Sequence, residues 1–218
     1  MARYDQHVEW YDELASTPSF VALREHAVGL LGPARGRCLD LGCGTGLALP
    51  LLEAAGWDAV GVDVSEGQLD HARERGANVL QADAHDLPFE NESFDAVVSI
   101  FTHTDFDDAR GVFAEAARVL RPSGVFVYAG VHPVFASPFA LPQEDGTTIF
   151  QPGYRVTGWY TVSRYPDRPG IRSRVGVNHL PLSELLNAVL DTGLVLMRLD
   201  EPRDEDPPLS IALRAVKR

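Results

Sequence analysis

Residues 37–46, RCLDLGCGTG, constrain this chain more than any other stretch. Leu39 and Leu41 alternate with their neighbours around the acid Asp40, and Gly42, Gly44 and Gly46 follow at every second position. The order predicts a buried strand running into a glycine loop. Residues without a β-carbon let backbone N–H groups come close to a ligand, and the apolar run 47–55 opens a helix whose N-terminus adds partial positive charge. A ligand is therefore expected where the strand ends.

Beyond the loop the chain alternates strand and helix. Strands are predicted over 59–63, 78–81, 94–100 and 125–129, with helices over 67–75 and 108–120. Repeated βα units with near-continuous apolar strands imply a parallel sheet covered on both faces, with ligands at the C-terminal ends of its strands. Residues 3–31 read as two short helices broken at Ser16-Thr17-Pro18, where Ser16 or Thr17 is a candidate cap. The alternation stops over 131–180, a stretch rich in proline, glycine and aromatics. So long a loop is improbable inside a compact domain, so it reads as short strands or a lid inserted after the fifth strand. A helix over 181–190 and two strands over 194–199 and 209–216, joined by EPRDEDPP, close the chain as a hairpin.

Composition removes several function classes. The 218 residues suit one domain, 1–218, with 1–31 as a helical cap and 131–180 as the substrate region. A net charge of −12 with no basic stripe argues against nucleic acid. Cys38 and Cys43 are too local for a framework disulfide and too few for a zinc site, which fits a reducing cytoplasm. The polar, acidic N-terminus is unlike a signal peptide, and no run approaches the ~18 apolar residues of a membrane span. Lys217 is the only lysine, so a Schiff base, a P-loop lysine and a Tyr-x-x-x-Lys pair have no candidate.

Dinucleotide folds space their glycines G-x-G-x-x-G and need a different loop. The stretch at 37–46 instead resembles motif I of the class I S-adenosylmethionine (SAM)-dependent methyltransferases, in their small type-11 group. Further matches follow in that family's order at VGVDVSEGQL (60–69), QADAHDLPF (81–89), SFDAVVSI (93–100) and RVLRPSGVFVYAG (118–130), covering most of 36–130. The resemblance implies a Rossmann-like α/β fold with a seven-stranded, mostly parallel sheet. Its strand order would be 3-2-1-4-5-7-6, the last strand antiparallel, with helices on both faces. It also implies SAM as cofactor, leaving as S-adenosylhomocysteine, and a small-molecule acceptor methylated at O, N or C. A SAM-binding regulator or subunit without transfer activity is the alternative, and either a monomer or a homodimer is expected.

The resemblance sets Asp40 toward the methionyl ammonium. Asp63, at the end of the second strand, can accept from both ribose hydroxyls. Asp83 can accept from the adenine amino group while the Ala84 N–H donates to the ring. Gly42, Cys43, Gly44, Gly46, Val64 and Ser99 complete the expected cofactor site.

Methyl transfer from a sulfonium is an in-line displacement, so positioning the acceptor ~3–3.5 Å from the methyl carbon supplies most of the acceleration. A base is needed only where the acceptor loses a proton, and histidine suits that task. His103 follows the fourth strand and His132 the fifth. Each is either the base or a local structural residue, His103 held by Asp105 and His132 fixed by Pro133. The substrate region draws on Tyr11, Phe101, Thr102, Tyr154, Trp159 and His179, with Arg155, Arg164, Arg172 or Arg174 to pair an acidic group; Trp10 and Tyr11 either fold over the cofactor or pack on the sheet, and Tyr165 belongs to the same aromatic stretch. No His-x-His or His-Glu-x-x-His pattern points to a metal.

Overall fold

The computed structural model describes residues 2–162, 170–202 and 206–218. Arg164 and Tyr165 lie outside the described residues. Two helices open the chain, α1 (Val8–Ala15) and α2 (Pro18–Leu31). Pro18 at the start of α2 presets φ where no helical N–H partner is lost. Neither expected cap forms. The Thr17 hydroxyl donates to the Leu14 carbonyl at 2.8 Å and that of Ser16 to Asp12 at 2.8 Å, so both close α1 instead.

Five mutually parallel strands follow: β1 (Arg37–Leu41), β2 (Asp58–Asp63), β3 (Val79–Gln81), β4 (Phe94–Ile100) and β5 (Leu120–Val131). They are linked by α3 (Leu49–Ala54), α4 (Glu66–Glu74) and α5 (Ala109–Val119). The stretch expected to be irregular holds a hairpin, β6 (Ala140–Pro142) with β7 (Thr148–Phe150). It also holds an antiparallel pair, β8 (Gly158–Tyr160) with β9 (Val177–His179), and a short helix, α6 (Ile171–Val175). Last come α7 (Leu182–Leu190), β10 (Leu194–Asp200) and β11 (Ser210–Lys217).

The main sheet runs β10-β11-β5-β4-β1-β2-β3, which is the expected order, with β11 antiparallel to both neighbours. Side chains alternate between its two faces. Leu39, Leu41, Phe94, Val97, Phe126 and Tyr128 pack under α5 and α7, whereas Cys38, Ala96, Val98, Val127 and Ala129 pack under α2 and α3. Because both faces are buried, these strands read as continuous apolar runs. β5 is longer than the predicted 125–129 because it pairs with β4 on one side and with β11 on the other, from Val131 opposite Ser210 to Val125 opposite Val216.

The loop after β1 lies directly on β2. The Gly42 and Cys43 amides both donate to the Val62 carbonyl, at 2.8 and 2.9 Å. A β-carbon at Gly61 would stand 2.7 Å from the Cys43 Sγ and 2.8 Å from its Cβ. Gly61→Ala must therefore lift the loop or distort the strand. It is expected to destabilise the protein by about 1–3 kcal/mol, read as a lower denaturation midpoint at unchanged m-value.

Candidate functional site

A cavity of about 270 Å³ opens where β1, β2 and β4 end. Asp40, Gly42, Cys43, Gly44, Asp63 and Val64 line it together with Asp83 and Ala84. Tyr11, Phe101 and Thr102, expected at the substrate, line this same cavity. Gly46 packs instead on α4, where a β-carbon would lie 2.9 Å from that of Ala72. Ser99 does not line the cavity either. It is fully buried beneath the loop, its hydroxyl 3.2 Å from the Leu41 carbonyl and 2.6 Å from the Thr102 hydroxyl.

Four of the loop amides turn toward the protein: those of Gly42 and Cys43 reach Val62, that of Gly44 reaches Asp63 Oδ2 at 2.9 Å, and that of Gly46 reaches the Cys43 carbonyl at 2.9 Å. The loop serves by what it lacks. Gly42 and Gly44 have φ of +77° and +53°, and β-carbons there would fall 2.6 Å from Thr102 Cγ2 and 2.5 Å from Gln68 Oε1.

Asp40 is 2% exposed, and its Oδ2 has no hydrogen-bond partner among the described residues. Burial pushes its carboxyl up to about 7; Arg24 opposes the shift and Asp63 adds to it. Arg24, on α2, also lines the cavity and donates to the Ala15 carbonyl at 2.8 Å. An orphan carboxylate and a buried guanidinium suit the ammonium and carboxylate of an amino-acid end. Arg24 was missed from sequence, although Arg24, Ala27 and Leu31 share one buried helix stripe, where a charge is out of place.

The Asp63 oxygens accept the amides of Gly44 and Ser65, each at 2.9 Å, and each oxygen keeps a lone pair for a hydroxyl. Asp83 Oδ1 holds the amide of His85 at 2.9 Å and its ring Nδ1 at 2.8 Å, bonds that keep this carboxyl below its ordinary range. The N-terminal segment is tied across the cavity by groups that gave no sequence signal. The Tyr4 hydroxyl donates to Asp105 at 3.0 Å, that of Ser65 to Asp5 at 2.6 Å and that of Thr45 to Asp12 at 2.6 Å. Burial lifts the Asp105 carboxyl to about 7.

A second cavity, about 350 Å³, lies between α1 and the segment inserted after β5. α1 stands between the two, with Tyr11 and Ala15 on the first and Trp10 and Leu14 on the second. Residues 101–107 divide likewise: Thr102 and Asp105 face the first, His103 and Thr104 the second. Phe20, lining the second, stacks on Phe101 of the first at 4.4 Å between centroids.

His103, His132 and His179 all line the second cavity. His103 is bonded through Nδ1 to the Tyr128 hydroxyl, not to Asp105, and burial pushes its pKa down to about 3. His132 Nε2 meets Glu201 at 2.9 Å, and burial holds its pKa below the ordinary histidine value despite that partner. Arg172 also lines this cavity, while Arg174 lies 4.4 Å over the Trp10 ring. Tyr154 and Trp159 line neither cavity, because their polar ends brace the insertion. The Tyr154 hydroxyl accepts the Leu182 amide at 2.7 Å, and Trp159 Nε1 donates to Asp107 at 2.6 Å beneath the Arg3 guanidinium.

With this geometry in view, a family model described as a methyltransferase domain matches residues 39–128. Demethylmenaquinone methyltransferase of Clavibacter sepedonicus is 36% identical over 135 residues, 58% of this chain and 55% of that protein. The Renibacterium salmoninarum protein of the same name is 36% identical over 162 residues, 68% of each. The chain thus spans little more than half of the first relative and about two thirds of the second. Among solved structures, an S-adenosylmethionine-dependent methyltransferase from Mesorhizobium loti superposes with a TM-score of 0.73 at 24% identity, over 94% of this chain and 100% of that one.

Asp40 and Asp105, each raised to about 7, give an unusual pH signature. Their folded values lie above the ordinary carboxyl value, so between pH ~4 and ~7 the folded state binds more protons than the unfolded state. These two groups therefore make the free protein less stable as pH rises through that window. Asp40→Asn is expected to flatten the decline, measured as urea midpoint against pH.

Proposed function

We propose that this chain, which belongs to the class I SAM-dependent methyltransferases, methylates a small, largely apolar molecule at an O, N or C nucleophile. The second cavity carries the reading. At about 350 Å³ it is of small-molecule size, and Trp10, Leu14, Phe20, Val131, Pro138 and Ile171 give it apolar walls beside the cofactor cavity. Arg172 is the one formally charged side chain lining it among the described residues. A chain of net charge −12 offers a polyanion no electrostatic footprint, which supports a small acceptor over nucleic acid.

SAM supplies a methyl carbon carried on a sulfonium sulfur. Asp40 and Arg24 would hold its aminoacyl end, Asp63 its ribose and the Asp83-Ala84 segment its adenine, while the unsubstituted backbone at Gly42 and Gly44 leaves room for it. The acceptor would lie in the second cavity, with its nucleophile reaching the methyl carbon past α1 and residues 101–107, which line both cavities. The relatives named for demethylmenaquinone make ring-bearing acceptors the first to test, in keeping with the apolar walls.

Purified protein given methyl-labelled SAM and a cell extract is expected to put label into the small-molecule fraction. Label in macromolecules would overturn the proposal, and SAM binding without transfer would favour a regulatory subunit. Asp63→Ala is expected to weaken SAM binding by about 1.5–3 kcal/mol, measured by calorimetry, because two hydroxyl acceptors and the Gly44 anchor are lost together.

A further inference from the structure

Hydrogen-bond polarity separates the three histidines of the second cavity. Tyr128 is fully buried, burial keeps its phenol protonated, and the His103 Nδ1 is its hydroxyl's partner. With no other acceptor for its O–H among the described residues, the phenol is the donor, which makes Nδ1 the acceptor and leaves the proton of His103 on Nε2. At His132 the amides of Val134 (3.1 Å) and Phe135 (3.4 Å) donate to Nδ1, so Nε2 carries the proton and gives it to Glu201. At His179, Nε2 lies 2.8 Å from the Tyr154 carbonyl, which only accepts, so Nε2 is again the protonated nitrogen. The difference lies at Nδ1. Those of His103 and His132 are occupied, whereas that of His179 receives no hydrogen bond among the described residues.

We infer that His179 is the general base of the proposed transfer, its Nδ1 taking the proton of an acceptor hydroxyl borne on an apolar ring, while the Nε2–H of His103 is a donor to the same ligand. This rests on the transferase reading. Acting as a base at Nε2 would require His103 to reverse the Tyr128 bond, and the phenol has no other acceptor among the described residues. His132 would have to give up Glu201. The Ser137 hydroxyl, buried on the cavity wall without a partner among the described residues, offers one further polar contact to a ring substituent.

The step balances. The acceptor O–H bond breaks and its proton forms an N–H bond at His179 Nδ1; the oxygen pair forms the bond to the methyl carbon, and the carbon–sulfur pair stays on sulfur. Positive charge passes from sulfonium to imidazolium and leaves as a proton to solvent.

The surroundings of His179 keep it neutral and so able to accept. Burial lowers its pKa, as does Arg172 on α6, while the Tyr154 carbonyl and Glu184 on α7 oppose. The rings of Phe139, Tyr154 and Tyr160 stand 5.4, 5.6 and 6.2 Å away, and His103 is the further titratable neighbour.

His179→Gln tests the assignment, since its amide N–H still reaches the Tyr154 carbonyl while the basic nitrogen is gone. Retained SAM affinity serves as the folding control. On the acceptor identified by label transfer, the variant is expected to lose roughly 10²–10⁴-fold in kcat. It should also lose the acidic limb of wild-type kcat/KM, where activity falls as pH drops through a pKa below the ordinary histidine value. An unchanged kcat and pH limb, or label on carbon, would overturn the inference. A second readout needs no turnover: ¹⁵N–¹H correlation spectra of ring-labelled histidines should show His179 protonated at Nε2 with an unbonded Nδ1. A proton on Nδ1 would refute the assignment even if label transfer succeeds, whereas absent transfer with the expected spectrum would refute the transferase reading.

Discussion

The site depends on the glycine loop being pinned to β2. Gly42, Cys43 and Gly44 all hydrogen-bond to the end of that strand, and Gly44 does so through the Asp63 carboxylate itself. Loop and carboxylate therefore form one rigid unit, and the missing β-carbon of Gly61 is what lets the loop settle. From below, Ser99 and Thr102 bond to each other, and Ser99 to the Leu41 carbonyl, which ties the end of β4 to that of β1. The cavity is thus shaped by backbone that has few ways to move.

Its electrostatics follow from burial. Loss of solvent raises the carboxyl pKa of Asp40, Asp63 and Asp105, repulsion from nearby carboxylates adds a smaller share, and Arg24 opposes the shift at Asp40. An arrangement of this kind favours a ligand that brings positive charge, and SAM carries two such centres, an ammonium and a sulfonium. Farther out, Asp5 and Asp12 serve as acceptors that fasten the N-terminal segment. The acidity of the chain is used locally, as a set of hydrogen-bond acceptors around the cavity.

The second cavity is assembled differently. Its walls come from α1, from residues 101–107 and from the insertion, pieces far apart in sequence. Three histidines enter it, and their roles are set by what holds the other side of each ring: a buried phenol, two backbone amides, or a carbonyl. Residue type alone does not distinguish them.

The parallel sheet and the acids at its strand ends were legible in the sequence, and the strand order followed from the resemblance to the methyltransferases. Near-continuous apolar strands, glycines at fixed spacing and acids at strand ends are local signals, and a parallel sheet places every such end on one edge. Asp40, Asp63, Asp83, Gly42 and Gly44 were legible for that reason, and Arg24 could have been, as a charge on a buried helix stripe. The rest depended on long-range packing. Whether the loop amides face ligand or β2, whether Ser99 points into the cavity or beneath it, and whether Tyr154 and Trp159 line a pocket or brace the insertion all depend on partners distant in the chain. The nitrogen that carries the proton on each histidine depends on Tyr128, Val134 and Tyr154, so it was fixed only when the fold brought those donors and acceptors to the rings.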